Sequence, residues 1–359
     1  MKKMRFCLAL LLFLLPLSLT GCDMFAEEAE EGQDVLYVYN WGDYIDAEML
    51  KKFEEETGIH VVLDEYDTNE SMYPRIAEGA EDYDVLCPSD YMVSKLIRNG
   101  LLQPLDFEQL PHARQYIGED FFRQVKTFDR EGKYTVPYCW GTVGIIYNTR
   151  LVDDPVDSWQ ILWNEKYSDN ILMQDSARDS LMIPLKLMGK SMNTVDESEL
   201  MAARDMLIEQ KPLVQAYGVD DIRDKMISGE AALGVTFSGE AINMIDANED
   251  LAFLLAPKEG TNVWIDGWVI PKSARHPENA HKFIDFMCRP DVAAANFLHL
   301  GYSTPNTAVK EQVAEELGES AYLAFPPEEV YEGQESYRYL GEKLDKIYTR
   351  IWLQVKNSR

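Results

Sequence analysis

Basic residues are scarce in this chain: 34 lysines and arginines face 62 aspartates and glutamates, leaving its 359 residues with a formal net charge of −28. A surface of that sign repels phosphate backbones and anionic headgroups, which excludes nucleic acid as a main partner. Cationic small molecules become better candidates. Cysteine is also sparse, with five thiols and no CxxC pair. Cys87, Cys139 and Cys288 are far apart in apolar surroundings, so buried free thiols are expected rather than a disulfide framework. The histidines, His60, His112, His276, His281 and His299, show no HExxH or other ligand spacing, and His276 and His281 are expected to be solvated beside a surface helix. No G-x-S-x-G elbow, phosphate-binding glycine loop or paired metal-carboxylate motif is found, and no cofactor or metal is expected. A membrane-length apolar run is missing too. The longest, Phe6 to Leu19, is broken by Pro16 and Ser18 and falls short of the roughly 20 residues that a span needs.

That run follows Lys2, Lys3 and Arg5 and ends in Leu19-Thr20-Gly21-Cys22, which together read as an export signal. Gly directly before Cys resembles a bacterial lipoprotein signal, implying cleavage before Cys22 and a lipid on its sulfur. Cleavage would remove three cations and no acid, taking the net charge from −28 to −31. Residues 22–34, with Glu27, Glu28, Glu30, Glu31 and Asp34, read as a solvated tether.

The body has the length and the 46% apolar content for two lobes with real cores. Val35–Asn40 reads as a strand; Asp46 caps a helix carrying Met49, Leu50 and Phe53 that stops at Gly58; Ile59–Leu63 is a second strand. A helix from Ser71 to Gly79, a short strand Tyr83–Cys87 and a helix carrying Met92, Leu96 and Ile97 up to Gly100 complete the grammar of a parallel α/β sheet. Lys133–Asn148 is one long extended segment, read as a crossing between lobes, and Val263–Pro271 as the return. Between them lie helical patterns at Leu181–Leu187 and Leu200–Ile208 and a strand at Ala231–Phe237. Pro277 suits the first position of a helix that buries Ala280, Phe283, Ile284 and Met287. The division expected is 35–138 with 265–310 for one lobe and 139–264 with 311–359 for the other.

Aromatic residues and acids recur just after predicted strands. Trp41, Asp43 and Tyr44 follow the first strand, Ser89 and Tyr91 follow the strand ending at Cys87, and Trp264 with Asp266 lies at the return crossing. Ligands of open parallel sheets bind outside the carboxyl ends of the strands, so the first two loops should meet at one mouth. Such residues also serve simply to cap a core, but three loops repeat the pairing. An aromatic face attracts a cation by about 0.5–2 kcal/mol and packs methylenes, and a carboxylate accepts a charge-assisted hydrogen bond. The combination suits an alkyl ammonium. A sugar site would also use stacked Trp and acids, without needing the acids spaced to match amines.

The chain resembles the bacterial spermidine/putrescine-binding proteins, the extracytoplasmic receptors of polyamine ABC transporters, along nearly the whole body. The resemblance is carried by Tyr39-Asn40-Trp41-Gly42-Asp43-Tyr44, Phe53-Glu54-Glu55-Glu56-Thr57-Gly58-Ile59, Asn69-Glu70-Ser71-Met72-Tyr73, Pro88-Ser89-Asp90-Tyr91, Pro137-Tyr138-Cys139-Trp140-Gly141, Asp175-Ser176-Ala177-Arg178-Asp179, Trp264-Ile265-Asp266 and Gly301-Tyr302-Ser303-Thr304-Pro305-Asn306, in that order. It implies an α/β, two-lobed periplasmic-binding-protein fold of type II, each lobe a mainly parallel sheet flanked by helices, with the lobes closing over putrescine or spermidine. It further implies a monomer that hands its ligand to permease subunits and is no enzyme. By the same resemblance Trp41, Tyr44, Ser89 and Tyr91 form walls, Asp179 and Asp266 hold amines, Trp264 stacks on the aliphatic chain, and Tyr302 reaches the ligand.

Departures from the family pattern bear on the ligand. Ser176 stands where the pattern has an acid, leaving Asp175 as a substitute or one amine contact weaker. Phe237 replaces a tryptophan and loses an N–H donor. Arg338 falls at a glutamine position that helps with a longer ligand, where a cation would oppose a third amine. Asp23 after Cys22 resembles an inner-membrane retention signal, should the cell have two membranes. Competing readings are a receptor of this fold for ferric iron, thiamine or a sugar, and an enzyme using Cys87 as nucleophile.

Overall fold

Strand β1 (Val35–Trp41) buries Leu36 and Val38 completely, and it lies at the centre of a three-stranded parallel sheet between β2 (His60–Tyr66) and β3 (Val85–Leu86). The computed structural model describes residues 34–79, 82–218, 221–318 and 321–358. The signal segment, Cys22 and the tether up to residue 33 lie outside them. Between β1 and β2, the Asp46 side chain caps helix Ala47–Thr57 by accepting from Glu48 N at 3.0 Å, and Gly58 ends it at φ 71°, a conformation that costs glycine little. Its buried face puts Phe53 edge-on to Phe283 and Phe286, each at 5.3 Å. Parallel pairing of β1 with both neighbours brings the carboxyl ends of all three strands to one edge.

Helix Asn69–Glu78 starts two residues before the expected Ser71, because Thr68 and Ser71 form a reciprocal capping box. Helix Asp90–Arg98 follows β3, and β4 (Leu102–Gln103) pairs with a strand far along the chain, β11 (Ile270–Pro271). The long extended segment is β5 (Val136–Asn148), thirteen residues nearly all buried. Its first half pairs antiparallel with β10 (Val263–Trp268), and its second half pairs antiparallel with β8 (Leu233–Phe237) and β9 (Leu251–Leu254). Strands β6 (Ile171–Gln174), β7 (Val214–Gly218) and β8 are mutually parallel, in the order β10-β5-β8-β6-β7. The larger sheet is therefore mixed. Its parallel members are joined by helices, whereas β5 pairs antiparallel with β8 and runs against them.

Two large apolar cores result. One gathers Leu36 to Trp140 with Val263 to Leu300; the other gathers Val143 to Val235 with Tyr337 to Val355. Strand β5 enters both, changing core between Trp140 and Val143. A smaller cluster joins Ile242, Phe297, Val309, Val313 and Ala324. The C-terminal segment runs beside β10: Ser336 Oγ donates to Val263 O at 2.7 Å, Thr261 N donates to Gln334 Oε1 at 2.9 Å, and Glu335 bridges Asn262. Helix Glu342–Asn357 then packs Tyr348, Ile351 and Val355 onto the second core.

The histidine expectation needs one correction. His281 is 6% exposed, with Nε2 accepting from Asp106 N at 2.9 Å and Nδ1 donating to Pro277 O at 2.6 Å. The helix Pro277–Met287 turns that position towards the packed loop at Asp106, so the ring is a core hydrogen-bonding unit. Cys87, Cys139 and Cys288 are buried free thiols.

Candidate functional site

A cavity of about 680 Å³ opens at the carboxyl ends of β1 and β3, with walls from both cores. It is lined by Trp41, Asp43, Tyr44, Ser89, Tyr91, Ser176, Asp179, Phe237, Trp264, Asp266 and Tyr302 among others. Loops that the sequence separates by more than 200 residues therefore face one space.

At one end lies Asp266, 6% exposed, on β10 where a register shift between Asp266 and Gly267 breaks the ladder with β5. A bulge of this kind re-aims a side chain. Ser89 bridges Asp266 from the other side, and Gly267 N donates to Pro88 O at 3.2 Å, which fixes the loop after β3 against β10. Tyr44 OH donates to Asp266 Oδ2 at 2.9 Å, and Tyr44 is itself held by Tyr138 OH donating to its carbonyl at 2.8 Å. Oδ1 of Asp266 has no hydrogen-bond partner among the described residues. Burial pushes the Asp266 carboxyl up to about 6, while the Ser89 and Tyr44 side chains pull it down. The result is a desolvated acid with one oxygen free for a donor.

Aromatic rings surround that acid. Trp264 meets Phe237 edge-on at 6.1 Å and Tyr302 at 5.5 Å, and Tyr302 meets Tyr44 at 5.8 Å. Trp264 Nε1 is buried without a partner among the described residues. Trp41 is anchored differently: its Nε1 donates to Cys87 O at 2.9 Å, the carbonyl that also accepts from Tyr66 OH at 2.8 Å. Tyr302 OH donates to Glu240 Oε1 at 3.1 Å, and Glu240 pairs with Arg223 at 3.4 Å.

A second buried acid comes from the other core. Ser176 caps helix Ala177–Leu187, its hydroxyl accepting from Asp179 N at 3.3 Å, and Asp179 is thereby set in the first turn facing the cavity. Tyr337 OH donates to Asp179 Oδ1 at 3.0 Å. Burial raises the Asp179 pKa, against the Ser176 and Tyr337 side chains, which lower it. On the facing wall Tyr91 OH accepts from Asn69 Nδ2 at 3.1 Å and donates to Glu70 Oε1 at 2.9 Å.

Two expected residues lie elsewhere. Asp175 is absent from the cavity wall and is committed to the C-terminal helix, accepting from Trp352 Nε1 at 3.2 Å and pairing with Lys356 at 2.7 Å. It therefore does not stand in for the acid missing at Ser176. Arg338 is exposed and outside the cavity; its N–H donates to Asn193 Oδ1 at 3.0 Å. The residue that turns inward is Tyr337, one position earlier, since neighbours in an extended segment face opposite ways. Asp43 reaches only the rim. Its backbone has φ 52°, and its side chain is 94% exposed, 3.3 Å from His299 Nε2.

Sequence reasoning missed Tyr337, Glu240, Arg223, Asn262, His299, Asn69, Glu70 and Asp90, which also line the cavity. Asn69, Glu70 and Asp90 stood inside stretches that carried the resemblance, so a signal existed for them. The others come from positions with no local pattern. Burial raises the thiol pKa of Cys87 and of Cys139 well above the ordinary value, so neither is a ready thiolate. Among the described residues no group of three or more His, Cys, Asp or Glu could hold a metal ion. The arrangement is suited to holding a cation with an apolar stem between two carboxylates.

The family model described as bacterial extracellular solute-binding protein matches residues 48–320. The chain is similar to the spermidine/putrescine-binding periplasmic protein of Escherichia coli, 33% identical over 340 residues, covering 94% of this chain and 95% of that one. It is also similar to the putrescine/agmatine-binding protein of Pseudomonas aeruginosa, 30% identical over 352 residues, covering 93% and 95%. Among solved structures, the spermidine/putrescine ABC transporter substrate-binding protein of Streptococcus pneumoniae is 39% identical, with a TM-score of 0.81 over 90% of this chain and 99% of that chain.

Proposed function

We propose, for a chain that belongs to the bacterial extracellular solute-binding protein family, that it is a polyamine receptor delivering putrescine or spermidine to an ABC permease. The observation that carries the reading is Asp266: a buried carboxylate with Oδ2 held by Tyr44 and Oδ1 unpartnered, beside the Trp264, Phe237 and Tyr302 rings. An alkyl ammonium supplies the missing donor and charge, and its methylenes pack on the rings. Asp179 receives a second ammonium from the other wall. A sugar would leave Asp266 without its counter-charge, and ferric iron would find no ligand cluster among the described residues.

The two-lobed division expected from the sequence supports closure of the clamp about β5 and β10. The site as proposed comprises Trp41, Tyr44, Ser89, Tyr91, Ser176, Asp179, Phe237, Trp264, Asp266 and Tyr302, with Asp43 at the entrance. The chain acts as a monomer without catalysis of its own. Cys22 carries the lipid that holds it outside the cell membrane, after removal of residues 1–21. Among the described residues no helix is long and apolar enough to cross a membrane.

Calorimetric titration with putrescine and spermidine, beside a thermal-shift panel containing thiamine, ferric iron and sugars, tests the reading. A true ligand at 100 times its dissociation constant stabilises by about 2.7 kcal/mol. Stabilisation by thiamine or a sugar with none from either polyamine would overturn it.

A further inference from the structure

Asp90 is a carboxylate of the cleft with no task assigned so far. It is the first residue of helix Asp90–Arg98, directly after Ser89, which bridges Asp266. It is 1% exposed and lines the same cavity as Asp266 and Asp179. Its Oδ1 accepts from Tyr91 N at 2.6 Å, whereas Oδ2 is buried with no hydrogen-bond partner among the described residues. The positive end of a helix accounts for an acid at this position. It does not account for an oxygen buried without a donor, because such an atom costs free energy until something satisfies it.

No cation among the described residues does so. Arg178 is the basic group facing Asp90, but its guanidinium lies over the Tyr337 and Tyr348 rings at 4.5 and 4.7 Å and donates to Asn193 Oδ1 at 2.8 Å. Burial is the largest influence on Asp90 and raises its pKa well above the carboxylate range; Asp266 adds to this, while Arg178 and the Tyr91 and Tyr337 N–H groups oppose it. Asp90 neighbours Asp266 through Ser89, and Tyr337, whose N–H also acts on Asp90, bonds Asp179. All three acids line one cavity. On the opposite wall Ser176 is occupied as a helix cap and Asp175 is bound to Trp352 and Lys356, so neither competes for the middle of a ligand.

We propose that Asp90 is a further ligand carboxylate of this cleft, accepting the internal ammonium of a linear triamine held at its ends by Asp266 and Asp179, and so favours a triamine over a diamine. The proposal rests on the polyamine reading above. An ammonium drawn against Asp90 favours its ionised form, so any proton that Asp90 carries leaves on triamine binding and not on diamine binding.

The test is calorimetry on the full chain and on Asp90→Asn, with spermidine and putrescine, near neutral pH in two buffers of different ionisation enthalpy. The expected result is a spermidine Kd raised roughly tenfold or more, a putrescine Kd within about threefold of wild type, and a smaller proton release with spermidine. Asp90→Ser gives the same selectivity change should the Asn variant fold poorly. Equal weakening of both ligands, or no change in either, overturns the assignment of Asp90 while leaving the polyamine reading in place. If the wild-type chain binds neither amine, that reading falls and Asp90 falls with it.

Discussion

Tyr44 and Asp266 are 222 residues apart in sequence, yet the phenol donates to the carboxylate at 2.9 Å in a buried pair. The bond ties the loop after β1 to the bulged strand β10, and it holds one carboxylate oxygen while leaving the other free. A ligand ammonium then meets a fixed acceptor, with little left to order on binding.

Replacing that acceptor gives the first prediction. Asp266→Asn keeps the shape and removes the charge, and truncating one partner of a buried charged pair costs about 2–5 kcal/mol. Putrescine and spermidine affinities should each fall at least about 30-fold by titration calorimetry. The melting temperature of the free protein should hold or rise, since an unpartnered buried charge is gone. Unchanged affinity would remove Asp266 from the site.

Affinity should depend on pH through the same group. Burial holds Asp266 up to about 6 in the free protein, and an adjacent ammonium lowers that value in the complex. The contribution of this group to putrescine affinity is therefore full above about pH 6 and falls as pH drops below it, by up to roughly tenfold per unit. Asp179 is shifted in the same direction and steepens the fall. The free protein behaves oppositely: the raised Asp266 contributes stability that is present below the ordinary carboxylate range and lost as pH rises through about 6. Titrations on both sides of pH 6 check this, and a flat affinity profile contradicts it.

Gly141 controls the position of Trp264, its ladder partner across β5 and β10. A Cβ at Gly141 would lie 2.6 Å from Trp264 Cζ2 and 2.7 Å from Ser238 Oγ. Gly141→Ala must push the indole away, at a cost of about 1–3 kcal/mol typical of overpacking. Polyamine affinity should fall about tenfold or more, with a changed tryptophan emission in the free protein. Wild-type affinity in this variant would mean that the indole's place is unimportant for binding.

Asp175 and Arg338 supply the contrasting case. Asp175→Ala removes the bonds to Trp352 and Lys356, and because that ion pair is partly exposed its loss costs only about 1 kcal/mol. A small drop in melting temperature is expected, with ligand affinity within about twofold of wild type. Arg338→Ala should leave both unchanged. A large affinity loss in either variant would return that residue to the ligand.

Local signals made much of the fold legible. Asp46 and Gly58 delimit a helix because capping and positive φ are short-range requirements, and the buried run Val136–Asn148 announced a strand by its texture. The start of helix Asn69–Glu78 was missed by two residues, because the reciprocal box of Thr68 and Ser71 sets it. Ser176, Asp175 and Arg338 show the other limit. Adjacent residues in a cap or an extended segment point to different faces, so an offset of one position exchanges a cleft residue for a surface one, as Tyr337 and Arg338 do.

What the sequence by itself determined was chemistry: an excess of acid and aromatic residues paired with acids after strands. Those properties belong to residue types and to neighbours within a few positions. Only the tertiary structure decided which acids face one another. Asp266, Asp179 and Asp90 come from segments nearly 180 residues apart at the extremes, brought to one cavity by strands that cross between two cores. Burial in that cavity, which no local pattern encodes, is what raises their pKa values and separates them from the many solvated acids of the surface.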